Sequence, residues 1–238
     1  NKAVNKRLVS DVPLGIFLSG GIDSAIIMSS VAEHGKKIPT FTVGFKHQKK
    51  YYDESISANK ISKYFGFENK TIYLDQKKVL SSIDQILDAN DEPFADSSAI
   101  AMHMISNSVK GDIKVALTGD GGDELFGGYR RAKEYDSQHS DTFAELPYYH
   151  LPKLDRTMMY STIELRAPFL SPTIVKHALN TPYHKRNGEK KALKETFAKI
   201  VPMEILNRDK HPLKTDQIRK DPVTQRNIND RIFRKQMA

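Results

Sequence analysis

Residues 13–24 of the chain read PLGIFLSGGIDS, an apolar run that ends in two glycines. The run over residues 13–19 has the length and composition of a buried β-strand. Beyond the glycines, apolar side chains recur at helical spacing from Ile22 to His34, and Gly35 ends the pattern. The stretch therefore predicts a strand that passes through a glycine loop directly into a helix, which is the basic unit of a parallel α/β fold.

The same alternation of strand and helix continues outward from this unit. Strand-like segments follow at residues 40–45, 70–74 and 113–117, and helix-like segments follow at residues 53–65, 77–89 and 97–109. Short connections between such elements are typical of a parallel sheet with helices on both faces. We therefore expect a doubly wound parallel sheet in residues 1–133. A helical C-terminal part should follow in residues 134–238, where prolines separate short helices and no strand is predicted.

The composition excludes several classes of protein. The chain has 238 residues and no Cys, so it can hold neither disulfides nor Cys-ligated metal sites, and it has no cysteine nucleophile. No apolar run in this sequence approaches the roughly 20 residues that span a bilayer, and no secretory signal is visible in it. We therefore expect a cytoplasmic protein without a membrane partner. Because the sequence begins at Asn1 rather than Met, we also expect a fragment or a processed product.

The net charge of +8 is unevenly distributed along the chain. Residues 183–238 contain 15 basic and 7 acidic residues, whereas residues 1–182 contain 22 of each. Such a basic segment is either a solvated helical surface or a surface that binds anions or nucleic acid. The absence of interleaved aromatic and basic residues disfavours a nucleic-acid partner.

The first glycine loop has the chemistry of a phosphate site. Gly20 and Gly21 let the backbone approach a ligand, and free amides at a helix N-terminus attract anions. Ser19 and Ser24 add hydroxyl donors. Asp23 would repel a phosphate unless a divalent cation lay between them, an arrangement that Mg²⁺ favours. The loop matches neither the P-loop nor the dinucleotide fingerprint, and a plain strand–turn–helix junction is the alternative interpretation.

A second glycine-rich loop follows the strand predicted at residues 113–117. It places Asp120, Asp123 and Glu124 close together, which costs free energy unless a cation compensates their charges. Because the ends of adjacent parallel strands lie side by side, Asp23 and Asp123 could share one metal ion. The alternative is an acidic turn that caps a helix.

The hexapeptide SGGIDS at residues 19–24 resembles the pyrophosphate-binding loop of the N-type ATP pyrophosphatases, and most of all that of the synthetase domain of asparagine synthetases. The resemblance extends over nearly the whole chain. Further similar segments are DVPLG at residues 11–15, YDES at residues 52–55, DEPFADSS at residues 91–98, TGDGGDELFGGY at residues 118–129 and STIELRAPFL at residues 161–170. The last two are long and specific.

This resemblance implies a single synthetase domain with an adenine nucleotide alpha hydrolase-like fold. The implied reaction is adenylation of a carboxylate, with aspartate as the first choice, and release of pyrophosphate. Attack by ammonia then gives the amide, asparagine, and AMP. ATP and Mg²⁺ are the implied cofactors, with Asp23 and Asp123 as metal ligands. The residues implied to bind ATP are Leu18, Ser19, Gly20, Gly21, Asp23, Ser24, Val43, Gly44 and Gly119.

The resemblance also implies catalytic residues. The family places a lysine at the position of Lys190, over the α-phosphate and the departing pyrophosphate. From the sequence alone, Lys190 could instead begin a solvated cationic helix. Asp120 is a catalytic candidate in the second loop. The family's catalytic glutamate has no clean match here, so Glu134 and Glu145 are both candidates, and Glu145 is preferred.

Two segments are implied to border the amino-acid substrate. Asp91 and Asp96 flank a proline turn and could instead be helix caps. Arg166 could anchor a carboxylate or pair with Glu164. Residues 207–212, NRDKHP, replace a Gly- and Phe-containing stretch expected near the substrate. Another acid, including a cell-surface sugar acid, is therefore an alternative to aspartate.

The glutamine-hydrolysing half of the family uses an N-terminal cysteine and has no counterpart in this sequence. We therefore expect ammonia from a glutaminase domain in the full-length protein or from another source. A homodimer is one expected assembly. Two other functions stay open: an RNA-modifying ATP pyrophosphatase, which the basic segment would suit, and a module that binds ATP without turnover.

Overall fold

A computed structural model describes residues 1–45, 54–74, 76–90, 98–129, 142–181 and 190–208. The strands are β1 (Leu14–Phe17), β2 (Thr40–Phe45), β3 (Asn69–Leu74), β4 (Val115–Leu117) and β5 (Glu164–Arg166). The helices are α1 (Lys2–Arg7), α2 (Ile22–Glu33), α3 (Glu54–Phe65), α4 (Gln76–Asn90), α5 (Ser98–Val109), α6 (Gly122–Phe126), α7 (Leu151–Met159), α8 (Pro172–Asn180), α9 (Lys191–Phe197) and α10 (Met203–Leu206). A π-helical turn at Leu146–His150 precedes α7, and a 3-10 turn at Pro168–Leu170 precedes α8.

All five strands are parallel and lie in the order β3-β2-β1-β4-β5. The chain builds outward from β1 to β3, then returns to the other side of β1 for β4 and β5. The predicted doubly wound parallel sheet is therefore confirmed. The order reverses between β1 and β4, where Ile16 is paired with Leu117. In sheets of this kind, ligands bind beyond the carboxyl ends of the strands at such a reversal.

Side chains along a strand point alternately to the two faces of the sheet, and the central strands β1 and β4 are buried on both faces. Ile16 and Leu18 pack in a core cluster that includes Ile26 of α2. Phe17, which lies between them, packs in a second cluster that includes Met104 of α5 and Met158 of α7. Burial on both sides explains why β1 and β4 read as short apolar runs, whereas the edge strand β3 is only partly buried. None of the helices in the described ranges is long and apolar enough to cross a membrane.

The expectation of no strand in residues 134–238 is wrong. Glu164–Arg166 forms β5, which pairs in parallel with β4 at the edge of the sheet. Its sequence, ELR, holds one apolar residue between two charged ones and is too short for a period-2 pattern to be recognised. Pairing with β4 creates this strand, since Glu164 N–H donates to Lys114 O at 2.9 Å and Thr118 N–H donates to Arg166 O at 3.0 Å. The division at residue 133 stays a prediction.

Candidate functional site

The two glycine-rich loops meet where the strand order reverses. The first joins β1 to α2, and the second joins β4 to α6. At Gly119 the loops are so close that a Cβ atom would lie 2.8 Å from Asp23 Cβ and 3.0 Å from Ser24 N. Glycine is therefore required at this position for the loops to approach each other. The predicted proximity of the two loops is confirmed.

The first loop is held by its own serines and by β2. Ser24 Oγ donates to Gly21 O at 3.1 Å and lies 3.2 Å from Ser19 Oγ. Leu18 N–H donates to Phe41 O at 2.9 Å, and its carbonyl accepts from Thr42 Oγ1 at 2.7 Å. Gly21 is the N-cap of α2 and has no side chain that could satisfy the first amides of that helix. The loop thus presents backbone amides at a helix N-terminus.

Lys190 lies between the two predicted metal ligands. Its Nζ contacts Asp23 Oδ2 and lies 2.6 Å from Asp123 Oδ1. Only 4% of Lys190 is exposed, so its ammonium depends on these partners. Burial alone would lower the pKa of Lys190, but the carboxylates of Asp23 and Asp123 outweigh that effect and hold the pKa above its ordinary value. Lys190 is therefore charged in this structure.

The position of Lys190 corrects the interpretation of this residue as part of a solvated helix. Lys190 directly precedes α9, with φ at +64°, and the buried Leu193 anchors that helix in the core. A Cβ atom at Gly128 would overlap both Asp123 Oδ1 and Lys190 Cε, so glycine gives these side chains their space. The solvated interpretation holds for Lys191, whose side chain is 68% exposed and pairs with Glu195 at 3.8 Å.

Asp120 lies in the second glycine loop, close to Asp123 and Glu124. Burial raises the pKa of Asp120, and the nearby charges of Glu124 and Asp123 raise it further. The Thr118 side chain and the charge of Lys153 act in the opposite direction, without reversing the shift. The proximity of Lys153 to Asp120 was not predicted from the sequence, because it depends on how α7 packs.

Glu124 has a hydrogen-bond partner in the same loop. Tyr129 Oη donates to Glu124 Oε1 at 2.6 Å. Burial and the charge of Glu124 raise the pKa of Tyr129 above its ordinary value, so the phenol keeps its proton. Glu124 thus has a structural role as acceptor for Tyr129.

The remaining predicted residues lie in three places. Val43 and Gly44 are in the second half of β2, and Val43 is buried. Glu145 precedes the π-helical turn, where its Oε2 lies 3.7 Å from His150 Nε2. Arg166 donates to Glu164 Oε1 at 2.6 Å and to the carbonyls of Arg7 and Val9 at 2.9 and 2.7 Å, contacts that favour the ion-pair interpretation. The other three, Asp91, Asp96 and Glu134, lie outside the described residues.

The two converging carboxylates suit a magnesium ion only in company with other oxygens. Asp23 and Asp123 already share one cation, the Lys190 ammonium, and carboxylates placed in this way can share a metal ion. Within the described ranges, no group of three or more His, Cys, Asp or Glu side chains is placed to hold a metal. Phosphate oxygens and water would have to complete the coordination of Mg²⁺.

The fold and the site together define a class of protein: a doubly wound α/β domain with a glycine loop suited to binding an anion. Two paired carboxylates lie beside this loop, where the strand order reverses. The chain belongs to the asparagine synthase family, whose model matches residues 1–147 and 133–235. These matches extend over nearly the whole chain. They agree with the family that the SGGIDS and TGDGGDELFGGY segments indicated.

Two relatives and one solved structure illustrate the similarity. The chain is 38% identical over 132 residues to glutamine-hydrolyzing asparagine synthetase 1 of Bacillus subtilis, covering 56% of this chain and 21% of the relative. It is 29% identical over 233 residues to glutamine-hydrolyzing asparagine synthetase of Rattus norvegicus, covering 88% of this chain and 41% of the relative. The chain thus spans less than half the length of these relatives. The solved structure is NMN synthetase from Francisella tularensis, with a TM-score of 0.38, 15% identity and coverage of 79% and 94%.

Proposed function

We propose that this domain synthesises an amide with ATP. A carboxylate oxygen of the substrate attacks the α-phosphorus of ATP, pyrophosphate leaves, and ammonia then displaces AMP from the acyl carbon. The observation that carries this proposal is the buried Lys190 between Asp23 and Asp123, at the point where the two glycine loops meet. Family membership supports it, and the names of the relatives make aspartate the first choice of acid.

Different residues would bind the phosphates and stabilise the charge that develops on them. Backbone amides around Gly20 and Gly21, with the hydroxyls of Ser19 and Ser24, would bind phosphate oxygens at the start of α2. Asp23 and Asp123 would hold Mg²⁺, which neutralises phosphate charge when it is bound. As pyrophosphate departs, negative charge grows on its oxygens. The Lys190 ammonium, held in its charged form, can stabilise that charge.

Asp120 is the best-supported proton acceptor in the described part of the site. Ammonium must lose a proton before nitrogen can attack, and the attacking nitrogen must lose another afterwards. Burial and the nearby acids raise the pKa of Asp120, which makes its carboxylate a stronger base than that of an ordinary aspartate. Glu145 remains a second candidate for this role.

The remaining assignments are part of the proposal and rest on the resemblance. Leu18, Val43, Gly44 and Gly119 would contact the nucleotide. Asp91 and Asp96 would face the amino-acid substrate, whereas the contacts of Arg166 with Glu164, Arg7 and Val9 give that residue a structural role. Ammonia would come from a glutaminase domain of the full-length protein, and free ammonium should substitute for it.

The test measures how much AMP and pyrophosphate are released from Mg-ATP, in the presence of ammonium, when a carboxylate substrate is added. Aspartate and a set of other carboxylates are compared, with a reaction lacking any acid as the blank. We expect one acid to stimulate release and to yield its amide by mass spectrometry. Asp23→Asn should abolish the stimulated rate. ATP binding without turnover for any acid would instead support the module that binds ATP without catalysis.

A further inference from the structure

Arg208, in the C-terminal part of the chain, contacts the first glycine loop, which is called the phosphate loop below. Its Nη1 donates to Gly20 O at 2.8 Å, across 188 positions of sequence. The residue lies two positions after the end of α10, and its N–H donates to Ile205 O at 3.3 Å. Ile205 and Leu206 are buried in the same core cluster as Leu18 and Ile26. The backbone that carries Arg208 is therefore anchored to the same core as the loop that it contacts.

Gly20 is held from its other side by α3. Its φ is +73°, and a Cβ atom there would lie 2.9 Å from both Glu54 O and Ser57 Cβ. The residue is thus confined between the start of α3 and the guanidinium of Arg208. This leaves its carbonyl little freedom to turn.

The contact with Gly20 fixes the direction of the next amide. The Gly20 carbonyl and the Gly21 N–H belong to one planar trans peptide unit and point in opposite directions. By holding the carbonyl, Arg208 sets the direction of that N–H. The Gly21 N–H lies 3.4 Å from Ser19 Oγ, longer than an ordinary N–H···O bond. Such a weak bond is readily exchanged for a bond to a phosphate oxygen.

The guanidinium of Arg208 also offsets the negative partial charge of the Gly20 carbonyl oxygen. A carbonyl oxygen near bound phosphates would repel them, and the permanent positive charge of the guanidinium that donates to this oxygen offsets the repulsion. A guanidinium has five N–H donors. In the described part of the chain, the bond to Gly20 is the one side-chain hydrogen bond that Arg208 makes.

We propose that Arg208 is a positioning residue of the phosphate loop, which orients the Gly21 amide towards the pyrophosphate part of the nucleotide. This inference rests on the proposed function. It adds a cationic residue from the C-terminal end of the domain to the residues of the two glycine loops and Lys190.

The test is binding of pyrophosphate with Mg²⁺, measured by calorimetry for the protein and for Arg208→Ala. We expect affinity to fall about tenfold or more, the value of a charge-assisted hydrogen bond. Arg208→Lys should recover part of the loss. Added guanidinium ion at low millimolar concentration should restore binding to Arg208→Ala, an effect that a folding defect would not show.

Lys36→Ala is the matched control. Lys36 Nζ donates to Leu8 O at 3.1 Å, so this variant also removes a cation from a backbone carbonyl, but just beyond the opposite end of α2. Its pyrophosphate binding should equal that of the unmodified protein. Unchanged binding in Arg208→Ala would overturn the proposal, as would a loss that guanidinium does not rescue. If the unmodified protein binds neither pyrophosphate nor ATP, the proposed function itself fails.

Discussion

Lys190 carries its charge in a place where an unpaired charge would be strongly unfavourable. The residue is buried, yet Asp23 and Asp123 keep it protonated. Such a fixed ammonium contributes most when negative charge develops, so its effect should fall on the transition state more than on nucleotide binding. Lys190 is therefore the residue whose substitution separates binding from chemistry.

Lys190→Ala should reduce the pyrophosphate release that the carboxylate substrate stimulates by about 10²–10³-fold at saturating ATP. The affinity for ATP should change far less. Both quantities are measured on the same preparation, by pyrophosphate detection and by calorimetry. Lys191→Ala is the control, because Lys191 is the next residue along but has an exposed side chain. Normal turnover in Lys190→Ala would remove the lysine from the mechanism.

A substitution at Gly119 tests whether the two glycine loops must lie in contact. Gly119→Ala would bring a Cβ atom to 2.8 Å from Asp23 Cβ, and to 3.0 Å from the backbone of Ser24, so the loops must separate. We expect Mg-ATP affinity to fall at least about tenfold, because Asp23 and the Ser24 amide would both move. Gly111→Ala is the control, since no atom lies within 4 Å of the added Cβ. Equal affinities for the two variants would show that the loops need not touch.

At the scale of elements, α5 is joined to its neighbours by a buried histidine. His103 Nε2 lies 3.0 Å from Gln85 Oε1 of α4 and 2.8 Å from Asn107 Nδ2. The ring of His103 is 5.6 Å from that of Tyr160, which follows α7. Burial lowers the pKa of His103. The packing of three helices thus favours an uncharged imidazole.

This burial predicts acid sensitivity. The unfolded chain protonates His103 near pH 6.5, whereas the folded chain resists protonation. The contribution to stability is therefore fully present above that pH and is lost as pH falls towards the folded-state pKa. The free energy of unfolding from urea titrations should fall between about pH 7 and pH 5. His103→Gln should show a flatter dependence, and identical slopes for both proteins would contradict the role of His103.

Helices and strands with many apolar residues can be predicted from the sequence, whereas the short elements β5 and α6 cannot. The first four strands and the helices α2 to α5 were predicted because each carries enough apolar residues to show its period. Strand β5 was not predicted, since ELR has no pattern of its own and is defined by pairing with β4. Helix α6 has five residues, all of them within the TGDGGDELFGGY segment, and this obscured its helical character.

At the scale of the whole molecule, the site draws on parts of the chain that are far apart in sequence. Asp23 and Asp123 could be placed together from the sequence, because both follow neighbouring strands of one sheet. The resemblance supplied Lys190, whereas charge alone suggested a solvated helix. Arg208 had no sequence signal, because its contact with Gly20 depends on how α10 packs against α2. Tertiary contacts of this kind have no local pattern.

The whole chain also predicts which nitrogen source these 238 residues can use. They contain no Cys, and glutamine hydrolysis in this family proceeds through a covalent cysteine intermediate. The isolated chain should therefore release no glutamate from glutamine above the buffer background, measured with a coupled glutamate assay. It should still form the amide from free ammonium. Glutamate release by this chain alone would show that another nucleophile acts.

The contact of one ammonium with both Asp23 and Asp123 has a consequence for the order in which ligands arrive. Before a metal ion can bind, Lys190 must leave both carboxylates, and its buried charge then needs another anion. Incoming phosphates offer that anion, so metal and nucleotide should enter together rather than one after the other. Titration with Mn²⁺, followed by electron paramagnetic resonance, should show weak uptake by the nucleotide-free protein. Lys190→Met should take up the ion on its own.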